Sequence, residues 1–183
     1  MQIKSLLIAA AAATTTLANP LLGLGQSTVP GYPWGLGSCL TRQQATWIVQ
    51  QFKSVITNPN RDAAVKLASV LLDDSFSETS DSINVLAGHP QGSVTYDDKQ
   101  TYLTGLRGAP PIPSMTDYDI LAGCDSIYWF WLADGIGRDI SPVKGFNRFR
   151  VNPKTGEVKT VEIEFNSIAW GRDIGWTCTP PPE

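Results

Sequence analysis

Residues 157–169 read EVKTVEIEFNSIA. Val161, Ile163 and Phe165 alternate with Glu162, Glu164 and Asn166, so one face of a strand is apolar and the other polar. A strand with one wet face belongs to an antiparallel sheet covered on a single side. Upstream residues supply the rest of that sheet. Asn152–Gly156 (NPKTG) is a hairpin turn that joins this strand to Val143–Val151. Before it come a Gly-rich turn, Asp134-Gly135-Ile136-Gly137, and a dense aromatic run, Ser126–Leu132, with Tyr128, Trp129, Phe130 and Trp131. Further upstream, Tyr118, Ile120 and Ala122 alternate with Asp117, Asp119 and Leu121.

Ahead of the strands the period becomes helical. Thr41 and Gln44 form a capping box, and Ala45, Ile48, Val49 and Phe52 mark a helix over Arg42–Thr57. Asn58-Pro59-Asn60 is a turn, and Ala64, Leu67, Ala68, Leu71 and Leu72 mark a second helix. Asp73-Asp74 ends it, and Ser75–Ser82 reads as a short polar strand or loop. Asp97 is positioned to cap a third helix, Asp98–Leu106, which Gly108–Pro113 breaks. Helices followed by antiparallel strands predict an α+β domain with about three helices on one face of the sheet.

The N-terminal residues have the layout of a secretory leader. Lys4 gives a basic start, Leu6–Ala13 an apolar run, and Thr16 and Ala18 frame a cleavage point before Asn19. The run is shorter than the roughly 20 residues that span a bilayer, so a secreted protein without a membrane span is expected. The leader takes one basic residue with it, leaving 13 basic against 17 acidic residues, a net charge of −4. Such a chain lacks the basic footprint that nucleic acid requires. Asn19–Ser38 is rich in Gly and Pro and reads as a linker or surface arm that Tyr32 and Trp34 could anchor; residues 39–178 form the domain and 179–183 a tail. Of Cys39, Cys124 and Cys178, two are expected to pair, and any of the three pairings is open. No Asn-x-Ser/Thr acceptor occurs.

This order of elements resembles the NTF2-like (SnoaL-like) cone. Four segments also resemble secreted fungal proteins that carry an NTF2-like domain: LDDSFSETSDSIN (Leu72–Asn84), GSV (Gly92–Val94), PVKG (Pro142–Gly145) and EFNSIAWGRDIGW (Glu164–Trp176). The resemblance covers Cys39 to Cys178 and implies a curved antiparallel sheet whose helices enclose an apolar pocket. Enzymes of the superfamily such as polyketide cyclases, ketosteroid isomerase and scytalone dehydratase place one or two acid/base groups in that pocket and use no cofactor. Other members only bind ligands or partners, so fold alone does not decide function.

The residues narrow the chemistry. His89 is the one histidine and no C-x-x-C occurs, so no metal site is expected. G-x-G-x-x-G, G-x-x-x-x-G-K-[ST] and G-x-S-x-G are all absent, so no nucleotide cofactor and no nucleophile elbow are expected either. An acid/base pocket remains, and the resemblance places its groups after the second helix and on the inner sheet face. The catalytic candidates are Asp74, Asp81, His89, Tyr102 and Tyr128, and each also has a plain structural reading as a wet helix end, a turn, a loop or a core residue. Trp129, Trp131, Phe165 and Trp170 are candidate ligand-binding residues. Trp129 and Trp131 share one strand face, Tyr128 and Phe130 the other, and only one face can meet the helices. Arg148 and Arg150 could pair with Glu162 and Glu164 on a solvated face, which explains those two glutamates without glycosidase chemistry.

The expectation is therefore a secreted domain holding a small hydrophobic molecule, such as a natural product, that it isomerises, cyclises or dehydrates without a cofactor. The alternatives are a non-catalytic module whose outer aromatic face dimerises or meets a host or cell-wall partner, and a hydrolase using His89.

Overall fold

The computed structural model describes residues 29–33 and 39–179. The leader-like Met1–Ala18, most of the arm (including Trp34) and Pro180–Pro182 lie outside them.

Thr41 caps α1 (Arg42–Thr57) through the full capping box with Gln44, and Asn60 caps α2 (Arg61–Leu71). The chain passes straight from α2 into β1 (Leu72–Thr79), where a polar strand or loop was expected from Ser75. Ser80 then caps a short helix, α3 (Asp81–Ala87), which the sequence reading does not contain, and Gly88 ends it in the left-handed conformation at φ 73°. After β2 (Val94–Tyr96), α4 (Lys99–Gly108) is capped by Asp98 rather than Asp97. β3 (Ser114–Ala122), β4 (Ser126–Asp134), β5 (Val143–Val151) and β6 (Val158–Phe165) follow the expected strands. Asn166 does not prolong β6. Its side chain caps α5 (Ser167–Asp173), so the alternation that runs to Ala169 overshoots the strand.

The six strands form one sheet in the order β2-β1-β6-β5-β4-β3. Every pair is antiparallel except β1–β6, which is parallel, so the expected antiparallel sheet is mixed. Register shifts at Glu78/Thr79, Asp117/Asp119 and Arg150/Val151 interrupt the ladders. Irregularities of this kind bend strands and deepen twist, which suits a sheet that curves around its helices.

The core lies on the concave side. Ile48, Val49, Phe52 and Val55 of α1 are buried with Ile127, Trp129 and Phe149 of the sheet, and the Phe52 and Phe149 rings meet edge-on at 5.0 Å. Asp117 fastens α1 to this face by accepting from Gln50 Nε2 (2.7 Å), Lys53 Nζ (3.1 Å) and the Trp129 indole (3.1 Å). Of the arm, Val29–Pro33 is described. Tyr32 is buried there, donates to the Pro153 carbonyl at 3.0 Å and lies over Gly156, where a Cβ would stand 2.5 Å from its ring. This short segment covers the β5–β6 turn. Cys39 pairs with Cys124, and Cys178 is free and exposed.

Candidate functional site

Paired residues on neighbouring strands point to the same side of a sheet. Three inner-face rows follow from the register. Glu78 lies beside Val161 and Phe149, Asn147 between Trp129 and Ile163, and Gly145 between Trp131 and Phe165. The helices do not close down on all of this floor. A cavity of about 510 Å³ remains. Phe52 and Ile56 of α1, Ile83 and Leu86 of α3, Leu106 of α4 and Trp170 of α5 wall it. The volume lies within the range typical of small-molecule sites.

Few polar groups reach this space, and each has a distinct setting. Glu78 is 2 % exposed, and among the described residues no donor bonds its carboxyl. Burial with no compensating partner disfavours the charged form. It pushes Glu78 from an ordinary 4.5 up to about 8. Tyr102 packs between Phe76 and Tyr96 at ring distances of 5.0 and 5.4 Å, and burial raises its phenol well above the usual value. Tyr96 is raised by burial and by the neighbouring Glu78. Its ring fits because residue 105 is glycine: a Cβ there would stand 2.6 Å from the Tyr96 hydroxyl oxygen.

Arg61 also lines the cavity, but its guanidinium is largely occupied. It donates to the carbonyls of Leu106, Val55 and Asn58, where α1 and α4 end. A cation at converging helix C-termini offsets their partial negative charge.

The Trp131 indole N–H donates to Asn147 Oδ1 at 2.7 Å, wholly buried. Gly145 makes that possible, because a Cβ there would collide with the Trp131 ring and stand 2.7 Å from Phe165 Cβ.

The structure sorts the sequence candidates. Tyr102, Trp131, Phe165 and Trp170 line the cavity. Asp74 is solvent-exposed and paired with Lys99 at 3.0 Å, because β1 begins before it and turns it outward. Asp81 opens α3 and accepts from Gly92 N at 2.6 Å outside the cavity. His89 is exposed on the loop after α3. Tyr128 is on the convex face, since Trp129 and Trp131 took the inner one. Trp129 is fully buried under α1 but does not line the cavity. On the outer face Arg148 pairs with Glu162 at 2.9 Å, whereas Arg150 turns to Asp125. Glu164 departs from the expected pairing with an arginine. It accepts from the Asp81 and Ser82 amides at 2.9 and 3.1 Å and from Ser82 Oγ at 2.5 Å, anchoring α3 over the cavity.

Glu78 and Asn147 were not among the sequence candidates. A signal for Glu78 was present: it stands two residues after Phe76, on the same strand face. Among the described residues no three His, Cys, Asp or Glu side chains converge on a metal position.

Residues 38–177 match the sequence model of the NTF2-like domain family. The chain belongs to that family. No curated protein matches it significantly. Among solved structures, the NTF2-like chain is similar to IdmH of Streptomyces antibioticus, described as a candidate polyketide cyclase, at 15 % identity and TM-score 0.54, over 73 % of this chain and 99 % of that one. It is also similar to a candidate ketosteroid isomerase from Kribbella flavida, at 14 % identity and TM-score 0.50 over 77 % and 84 %. A third is a candidate isomerase of the SnoaL-like family from Agrobacterium tumefaciens, at 11 % identity and TM-score 0.51 over 68 % and 98 %. At these identities the likeness establishes the NTF2-like fold and nothing about chemistry.

Proposed function

We propose that this NTF2-like domain binds a small hydrophobic molecule in its cavity and moves a proton on it through Glu78, as a cofactor-independent isomerase, cyclase or dehydratase of natural-product chemistry. The supporting observation is the Glu78 carboxyl, buried and, among the described residues, without a hydrogen-bond partner, in an apolar cavity of about 510 Å³. A carboxyl near 8 holds its proton at neutral pH and exchanges it readily, which is the property a general acid or base needs. In an isomerisation the minor ionised form of Glu78 takes the proton from the carbon beside a carbonyl and, as the acid so formed, returns it at another carbon of the same molecule. The carboxylate is regenerated and no second reactant is consumed.

Secretion is part of the proposal. The Cys39–Cys124 disulfide fits an oxidising route, as does the leader-like start, and no described helix is long and apolar enough to cross a membrane.

The test is mass spectrometry of small molecules that copurify with the native protein, followed by incubation of the recovered compound in D2O. Wild type should incorporate deuterium at one carbon, and Glu78→Gln should do so at least about 100-fold more slowly. Equal rates, or a protein that retains no small molecule, would defeat the reading.

A second reading, a non-catalytic interaction module, is favoured by the convex face. Tyr118, Leu121, Tyr128, Phe130 and Phe146 are exposed there together. Contiguous apolar surface of this kind marks an interface, and a homodimer is the simplest form. Light scattering that gives a monomer mass at high protein concentration would remove the dimer.

A further inference from the structure

The orientation of one amide specifies what the ligand must carry. An indole N–H is only a donor, so the Asn147 atom that meets Trp131 at 2.7 Å must be the oxygen. This assigns the side-chain NH2 to the remaining direction. Asn147 is 2 % exposed and lines the cavity, and among the described residues its NH2 meets no acceptor. A donor that borders an apolar cavity gains a hydrogen bond from an acceptor on a bound molecule. The amide cannot turn over, because a flip would set NH2 against the indole N–H.

Glu78, Tyr96 and Tyr102 also line the cavity, but among the described residues none of them bonds the Asn147 NH2, and four Arg61 N–H contacts go to backbone carbonyls.

We infer that the cavity selects an apolar ligand bearing a neutral hydrogen-bond acceptor, a carbonyl oxygen, and that Asn147, held in one orientation by Trp131, reads it. This rests on the cavity being the binding site proposed above. Glu78 and Asn147 stand on β1 and β5 with β6 between them, and both line the same cavity. Asn147 is thus a specificity residue, and Trp131 acts on the ligand partly through it.

Two probes of one shape separate these ideas: 2-acetylnaphthalene, and 2-isopropenylnaphthalene, in which C=CH2 replaces C=O. Dissociation constants are read by fluorescence, and the carbonyl stretch of the 13C-labelled ketone by infrared difference spectroscopy. Wild type should bind the ketone at least about tenfold more tightly, with the stretch shifted to lower frequency than in hexane. The double variant Trp131→Phe/Asn147→Leu removes both partners and strands neither. It should bind the two probes equally and lose the shift. Equal wild-type affinities with no shift would overturn the acceptor inference and leave the cavity as a binding site. A preference that survives in the double variant would overturn the role of Asn147. Binding of neither probe would overturn the cavity reading and this inference with it.

Discussion

Glu78 gives the fold a pH dependence of unusual sign for a carboxylate. Its native value is raised, so between about 4.5 and 8 the folded chain holds a proton that the unfolded chain has released. Stability falls with rising pH wherever the native state binds more protons. The Glu78 contribution is complete below about 4.5 and is lost as pH climbs through 8. One pKa unit corresponds to about 1.4 kcal/mol, so the loss across the window is of the order of a few kcal/mol. Urea midpoints at pH 5 and pH 8 should show wild type weaker at the higher pH, and Glu78→Gln should flatten that difference. A second test at this scale concerns Gly145. Replacement by Ala sets a Cβ against the Trp131 ring and should displace it, lowering stability by roughly 1–3 kcal/mol with a changed tryptophan emission.

α3 shows how an element of seven residues is held and why the sequence hid it. It is too short to display a helical period, and Ser75–Ser82 reads as a short polar strand or loop. Its stability comes from elsewhere in the chain, since Glu164 of β6 accepts its first amides. Glu164→Ala should cost about 1–2 kcal/mol and speed amide exchange over residues 81–87, while α1 stays protected. α1 was legible to the residue because Thr41, Gln44 and the apolar stripe agree, and β5 because turn signals flank it. The facing of β4 was not legible, because Tyr128 and Phe130 are as apolar as Trp129 and Trp131; contact with the helices on one side decides it. The site suffered most. Charged residues are ordinarily solvated, so Glu78 passed as part of a wet strand, while Asp74 and Asp81, equally acidic and nearby, are the ones that stay wet.

For the molecule as a whole, the expected cup of sheet and helices was readable from the order of periods, whereas the parallel β1–β6 pairing was not. Strand sequences of this length carry no mark of which distant partner they will meet. The disulfide joins the residue just ahead of α1 to the β3–β4 turn, with 85 positions between the cysteines. Closing a loop of that length constrains the unfolded chain by about 4 kcal/mol in the chain-entropy account. Cys39→Ser/Cys124→Ser should therefore lower the urea midpoint markedly. Iodoacetamide without reductant should label Cys178 alone.

The lone parallel pairing also sets when the hollow can exist. Glu78 is synthesised early, whereas β5 and β6, which complete its surroundings, follow after three further elements and two strands. Contacts between distant stretches form slowly, because the intervening chain must be ordered first. A guest molecule therefore has nothing to grip during early collapse. It can act only as a late clasp, slowing escape from the finished state without hastening the route to it.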